Sequence, residues 1–219
     1  MNILLSFRRC PYAIRARMAL HLMKINFETL EVNLKQKPAI LHRLSPDATV
    51  PVLCLLKSKQ ILKSSDEIVA WCMGTKILEP WTNHRSSEQE ALCRYLYRRL
   101  NTDYIPAFNR YKYWQRYDDV NRSLELKQID GYMRELDSVI GSTNSILREK
   151  SELDIMIYPF VRQWDRYVEC PALDSHYPKV ASWYHDISRD EYTRCAMAKN
   201  MSDTKSQEVL IKTLEETFR

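Results

Sequence analysis

A cysteine followed by proline carries the most reactive chemistry in the sequence. The motif Cys10-Pro-Tyr-Ala13 follows a short apolar run and opens a segment with helical spacing. A thiol at a helix N-terminus faces unpaired backbone N–H groups and the positive end of the helix dipole, which both stabilise a thiolate. Arg8 and Arg9 add positive charge beside it. The pattern predicts that Cys10 has a lowered pKa and is nucleophilic at neutral pH; the alternative is a small buried cysteine without chemistry.

The alanine at position 13 limits the thiol–disulfide reactions that Cys10 can take part in. A thioredoxin-type dithiol has its second cysteine at this position, so a mixed disulfide on Cys10 must here be resolved by an external thiol. The six cysteines, at positions 10, 54, 72, 93, 170 and 195, contain no C-x-x-C pair, and the five histidines show no metal spacing. We therefore expect a small-thiol cosubstrate, no metal, and free thiols in a reducing cytoplasm.

Two further segments could hold a ligand near such a thiol. Pro51 stands at the start of the apolar run Val52-Leu53, and in a thioredoxin-like sheet it would be cis and beside the thiol, with the Val50 backbone open to an extended peptide. An ordinary strand entry is the alternative. Ser65, after Ser64, stands at a helix start, where its hydroxyl and the backbone N–H groups could bind a carboxylate. For this serine taken alone, a plain helix cap with Asp66 and Glu67 in the first turn is the favoured explanation.

Aromatic side chains mark a candidate pocket for a second substrate. Tyr104, Phe108 and Tyr111 are spaced four and three residues apart on a helical stretch, and Trp114 follows them. Such a set is expected to form an aromatic wall for a hydrophobic substrate between the domains. An equally good interpretation is that these residues are core or surface aromatics of a helical bundle.

The elements that must position these residues change type along the chain. Residues 1–75 alternate between strand and helix patterns and predict an α/β, thioredoxin-like domain of order βαβαββα with a mixed four-stranded sheet. Residues 76–83 read as a linker, and residues 84–219 as an all-helical C-terminal domain. Within it, Ser151 and Asp154 have the spacing of a capping box. The last segment, 201–219, is charged and predicts a weakly packed helix.

Composition excludes several classes of function. The net charge of +5 is not clustered into a basic stripe, which argues against nucleic-acid binding. No apolar run reaches the roughly 18 residues of a membrane span. The three glycines form no phosphate-cradling pattern. We expect a cytoplasmic protein with a small-molecule partner.

The motifs taken together resemble the glutathione S-transferase superfamily, most closely its cysteine-type, omega-like members of the bacterial type. The resemblance covers the chain in outline and is sharpest over residues 5–71. It is carried by segments in the family's order and spacing: Arg9-Cys-Pro-Tyr-Ala13, Val32-Asn-Leu-Lys-Gln-Lys-Pro38, Val50-Pro-Val-Leu53, Ser64-Ser-Asp-Glu-Ile68, and Ser151 with Asp154.

The resemblance implies a role for each matching residue. Cys10 would attack or hold the glutathione sulfur, and Tyr12 would line the thiol pocket. Lys37 would bind the glycine carboxylate, Val50 would pair with the cysteinyl part before the cis-proline Pro51, and Ser65 would bind the γ-glutamyl carboxylate. Family members are commonly dimers, so we expect a homodimer.

One residue departs from the family pattern. The family usually has an acid just before the glutathione-binding serine, where this chain has Ser64. Asp66, Glu67 or a neighbouring subunit could supply the missing acid. Two functions follow from the resemblance: a glutathione-dependent transferase or thiol-disulfide oxidoreductase acting through Cys10, or a non-catalytic module that uses the same fold for protein–protein contacts.

Overall fold

The computed structural model describes residues 1–75, 85–141, 143–147, 149–199 and 203–219. The predicted linker, 76–83, lies outside the described residues. Among the rest, the chain falls into two units: the N-terminal residues together with those from Arg189 onward, and the helical residues up to Ser188. The predicted boundary, with all of 84–219 in one helical domain, therefore differs from the observed units at the C-terminal end.

A mixed four-stranded sheet forms the centre of the first unit. The elements before the undescribed segment are β1 (Asn2–Ser6), α1 (Pro11–Leu22), β2 (Glu28–Glu31), α2 (Ala39–Leu44), β3 (Val52–Leu55), β4 (Gln60–Leu62) and α3 (Ser65–Thr75). The strand order is β2-β1-β3-β4, with β2 parallel to β1 and the other neighbouring pairs antiparallel. The predicted βαβαββα order and mixed sheet are confirmed.

The burial of the central strands explains why short apolar runs form them. Ile3, Leu4 and Leu5 of β1 and all four residues of β3 are buried, as expected for strands covered on both faces. Helix α1 packs against α3, and its buried face includes Ala13 and Met18. This arrangement brings the start of α1, and with it Cys10, to the end of β1.

The second unit is helical in all its described secondary structure. Its elements are α4 (Ser87–Arg99), a π-helical turn (Leu100–Tyr104), α5 (Ile105–Lys112), a 3-10 turn (Trp114–Arg116), α6 (Arg122–Val139), α7 (Glu152–Asp165), α8 (Leu173–His176) and α9 (Pro178–Arg189). The π-helical turn directly precedes α5, whose second residue, Pro106, has no N–H to donate. No helix in the described ranges is long and apolar enough to cross a membrane.

The predicted capping box at the start of α7 is confirmed. The backbone N–H of Ser151 donates to Asp154 Oδ2 at 2.6 Å, and the indole Nε1 of Trp183 donates to Asp154 Oδ1 at 2.7 Å. Asp154 is fully buried. One carboxylate therefore satisfies a helix terminus and the ring N–H of a buried tryptophan at once.

The C-terminal helices α10 (Glu191–Met197) and α11 (Thr204–Thr217) belong to the first unit. Leu210 and Leu214 of α11 join the hydrophobic cluster that also holds Leu30 and Val32. The Gln207 side chain accepts the N–H of Glu31 at 2.8 Å and donates to Thr29 O at 3.2 Å. The expected weak packing of this helix is therefore wrong. Leu210 and Leu214, four residues apart, form a narrow apolar face on α11. The many charged residues around them made the segment look polar overall, so this face was not recognised from the sequence.

Candidate active site

Cys10 lies where β1 leads into α1. It is the N-cap residue of α1, directly before Pro11, and its backbone N–H donates to Phe7 O at 3.0 Å to close the preceding turn. The thiol is partly buried and packs against the hydrophobic cluster of the sheet. Its Sγ lies 3.9 Å from Val50 O. The predicted position at a helix N-terminus is confirmed.

The Val50–Pro51 peptide bond is cis. Pro51 directly precedes β3, and both residues of the bond are buried. The contact with Cys10 Sγ places the Val50 backbone beside the thiol. The expectation of a cis-proline next to Cys10 is confirmed, and an ordinary strand entry is excluded.

Burial raises the pKa of the Cys10 thiol above its ordinary value. The backbone N–H groups of Ala13 and Tyr12 and the guanidinium groups of Arg17 and Arg15 act in the opposite direction, but burial outweighs them. The prediction of a lowered pKa is therefore wrong. The sequence revealed the helix start and the nearby charges, but it could not reveal how deeply the sulfur is packed.

The charges that act on Cys10 are not those expected from the sequence. Arg8 and Arg9 are exposed. Arg15 and Arg17, further along α1, are 0% and 6% exposed and lower the pKa of the thiol. Sequence reasoning missed them, although two arginines inside an otherwise apolar helix were a usable signal, because buried arginines are rare unless they are paired.

Arg15 connects the start of α1 with the start of α3. Its Nη1 lies 3.5 Å from Ser65 Oγ and 3.3 Å from Asp66 Oδ1. Its guanidinium also stands 5.5 Å from the centre of the Tyr12 ring. Four chemistry-bearing side chains, those of Tyr12, Arg15, Ser65 and Asp66, therefore form one connected group next to Cys10.

Ser64, rather than Ser65, caps α3. Its Oγ accepts the backbone N–H of Glu67 at 3.1 Å, while Glu67 Oε2 accepts the N–H of Lys63 at 2.7 Å. Ser65 is the first helical residue and is 4% exposed. The departure from the family pattern at Ser64 thus has a structural role, because the serine satisfies a backbone donor at the helix start.

Tyr12 and Lys37 are the exposed members of the predicted ligand set. Tyr12 is 37% exposed and stands beside Arg15. Lys37 is exposed and directly precedes Pro38, the N-cap of α2. The contacts of the structure join Cys10 with Val50 and join Tyr12 with Ser65 through Arg15. Among the described residues, no hydrogen bond or ion pair joins Lys37 to them.

Most of the predicted aromatic wall lies inside the packing of the helical unit. Tyr104, Phe108 and Tyr111 are 0%, 1% and 6% exposed. The Tyr104 hydroxyl donates to Phe160 O at 3.2 Å, and the Tyr111 hydroxyl donates to Glu169 O at 3.0 Å. These contacts favour the alternative interpretation, in which the aromatics are core residues. Trp114, by contrast, is 42% exposed.

No cluster of three or more metal-ligating side chains occurs among the described residues. The chemistry of the group around Cys10 is instead that of a thiol, a backbone carbonyl, two guanidinium groups and a serine hydroxyl. This set suits an anionic ligand that carries sulfur.

The family comparison agrees with this geometry. Residues 9–73 match the family model of the glutathione S-transferase N-terminal domain. Over this range the chain is similar to the N-terminal domain of glutathione S-transferases. The matched range contains Cys10, the cis-proline and the start of α3. The cysteine-type, omega-like subtype stays a prediction.

Solved structures of the superfamily share the fold along nearly the whole chain. Rice GST1 in complex with glutathione has a TM-score of 0.76 at 16% identity, over 99% of this chain and 96% of that chain. A glutathione S-transferase from Methylobacillus flagellatus with glutathione bound has a TM-score of 0.77 at 16% identity, over 91% of this chain and 100% of that chain. Glutathione transferase Omega 3C from Trametes versicolor has a TM-score of 0.72 at 14% identity, over 98% of this chain and 91% of that chain. No curated protein matches the sequence. At these identities the structures establish the fold.

Proposed function

We propose that this protein is a member of the glutathione S-transferase superfamily, and that it is a thiol transferase that uses glutathione as cosubstrate and Cys10 as nucleophile. The observation that carries the proposal is the position of Cys10 Sγ, 3.9 Å from the carbonyl oxygen of Val50, at the first turn of α1. A glutathione backbone that pairs with Val50 brings its own sulfur to Cys10.

The reaction exchanges one disulfide for another. The Cys10 thiolate attacks the glutathionyl sulfur of a glutathionylated substrate. The substrate–glutathione S–S bond breaks, a mixed disulfide forms between Cys10 and glutathione, and the substrate leaves as a thiolate that takes up a proton. The thiolate of a second glutathione then attacks the mixed disulfide, releasing oxidised glutathione and the Cys10 thiolate. Since Ala13 leaves no resolving cysteine in the motif, this second thiol must come from outside.

The surrounding side chains supply the charges that glutathione needs. In this proposal Tyr12 lines the thiol pocket, Lys37 binds the glycine carboxylate, and Ser65 binds the γ-glutamyl carboxylate. Asp66, whose side chain is 52% exposed, is next to Ser65 and takes the γ-glutamyl ammonium in place of the acid missing at position 64. The same carboxylate already pairs with Arg15, so this ammonium contact is weaker than one to an unshared acid.

The remaining expectations belong to the same proposal. The second substrate is a small hydrophobic or disulfide compound, and Trp114 is the predicted pocket aromatic that such a compound reaches most easily. The protein acts as a homodimer in the cytoplasm, without metal, nucleic acid or membrane. Light scattering tests the dimer, and a monomer would refute it.

Turnover of a glutathionylated peptide tests the proposal. Reduction is followed with glutathione in excess for the unchanged protein, for Cys10→Ser, and for Cys195→Ser as the matched control, since Cys195 is an exposed thiol in the same unit. Cys10→Ser should abolish turnover and Cys195→Ser should leave it unchanged. Equal rates in all three proteins would overturn the assignment of Cys10.

A non-catalytic role in protein–protein contacts is the second candidate. One observation favours it: burial raises the pKa of Cys10, so little thiolate is present at neutral pH. Absence of turnover, together with absence of retention on immobilised glutathione, would support this role. Because the deprotonated fraction sets the rate, a working thiol transferase should instead become faster as the pH rises above neutral.

A further inference from the structure

Arg17 joins three separate segments of the first unit. It lies in the middle of α1 and is 6% exposed. Its Nε donates to Ala196 O of α10 at 2.7 Å, its Nη1 donates to Ser6 Oγ at the end of β1, and its Nη2 donates to Arg8 O at 2.7 Å. One guanidinium group therefore bonds α10, the end of β1 and the turn before Cys10.

The turn that Arg17 holds is the one that places the thiol. Cys10 N donates to Phe7 O across this turn, and the Arg8 carbonyl held by Arg17 lies inside it. A planar guanidinium that donates hydrogen bonds in three directions fixes the positions of its acceptors more rigidly than the ammonium group of a lysine can. A shift of α10 would move Ala196 O and, with it, the Arg17 guanidinium that donates to this oxygen. Because Nη2 of the same guanidinium donates to Arg8 O, the shift would also move the turn before Cys10.

We propose that Arg17 is a positioning residue that couples the docking of α10 to the orientation and reactivity of Cys10. The inference rests on the proposed role of Cys10 as the reacting thiol. It adds that the C-terminal segment, which is distant in sequence, controls this thiol through a single side chain.

Several charged and titratable groups among the described residues surround this link. Tyr12 and Arg15 of α1 face Cys10 along with Arg17. His21 faces Arg17, and burial together with this guanidinium lowers the pKa of the imidazole. A cavity beside Arg17 is also lined by charged residues and a thiol from the neighbouring elements, namely Arg8, Glu28, Glu31, Cys195 and Lys199. Glu31 accepts the N–H of Arg8 at 2.7 Å, which ties β2 to the same turn.

Alkylation of Cys10 by iodoacetamide tests the two parts of the proposal separately. The rate is followed by peptide mass spectrometry across a pH series, without glutathione, in full-length protein. Arg17→Met removes charge and bonds, and should slow alkylation at neutral pH about fivefold and move the pH profile to higher pH. Arg17→Lys keeps the charge but not the three-way geometry, so the profile should keep its midpoint while the plateau rate at high pH falls.

Two further variants serve as controls for these rates. Arg43→Met removes the same charge from an exposed position of α2 and should leave the pH profile unchanged. Wild-type plateau and midpoint in Arg17→Lys would overturn the positioning role. If Arg17→Met does not fold, as judged by circular dichroism, Arg17→Lys carries the test alone, because it keeps the positive charge while removing the guanidinium geometry.

A double-mutant cycle tests the link to α10. Ala196 is fully buried, so Ala196→Leu should displace α10 and slow alkylation of Cys10 about as much as Arg17→Lys does. The Arg17→Lys/Ala196→Leu double variant should then be no slower than either single variant, whereas additive effects would overturn the coupling. Failure of the proposed function would look different: no reaction with glutathione disulfide, but unchanged responses of alkylation to these substitutions.

Discussion

Substitution of Leu214 tests whether α11 is an integral part of the first unit. Leu214 is fully buried in the cluster that contains Leu30 and Val32 of the sheet edge. Removing such a leucine side chain costs about 2–5 kcal/mol, with the larger losses where the surroundings cannot relax into the cavity. Gln207 fixes α11 to the backbone of β2 through two hydrogen bonds, which limits this relaxation. We therefore expect Leu214→Ala to lower the free energy of unfolding by about 3 kcal/mol.

Urea unfolding measures this loss, and the same helix offers a matched control. Val209 is 63% exposed, so Val209→Ala should change the free energy of unfolding by about 0.5 kcal/mol or less. The slope of the transition should stay the same in all three proteins, because the fold is unchanged. A loss below about 1 kcal/mol for Leu214→Ala, or equal losses for the two variants, would refute the packing described for α11.

Three further predictions follow from buried or capping groups. Asp154→Ala leaves the Trp183 indole and the start of α7 without their acceptor, so it should lower the free energy of unfolding in urea by about 2–4 kcal/mol. The exposed cap variant Ser86→Ala should lower it by about 1 kcal/mol, and equal losses for the two variants would contradict the prediction. Ser64→Ala should cost about 1 kcal/mol, and no loss would show that Ser64 does not cap α3. Burial raises the pKa of Cys54 and of Cys72 from 9.0 to about 12. Above about pH 9 the unfolded state therefore binds fewer protons than the folded state, and the free energy of unfolding should fall as the pH rises towards 12. Urea unfolding over this range checks the fall, which Cys54→Ala should reduce.

The fold of the N-terminal residues could be predicted because each local signal agreed with the others. Pro11 marks a helix start, the run Asn2–Ser6 is apolar as a buried strand requires, and Pro51 falls at the entry to another strand. These signals depend on a few neighbouring residues, so a single sequence is enough to detect them. The expectation of a cis-proline beside the thiol came instead from the thioredoxin-like sheet that the signals indicate, because Cys10 and Val50 are 40 positions apart in the sequence.

Long-range features could not be predicted in this way. The packing of Leu214 against the sheet joins residues more than a hundred positions apart, and no local pattern encodes it. The direction of the Cys10 pKa depends on how completely the rest of the fold covers the sulfur. The burial of Tyr104 and Phe108 likewise follows from the helices that enclose them, so helical spacing alone could not distinguish a core from a pocket.

Intact mass after incubation with oxidised glutathione tests the central claim most directly. If Cys10 is the nucleophile of a glutathione-dependent thiol transferase, the unchanged protein should gain the mass of one glutathionyl group, with peptide mapping placing it on Cys10. Cys195→Ser should gain the same mass, and Cys10→Ser should gain none. An unmodified protein, or a glutathionyl group that persists in Cys10→Ser, would contradict the account.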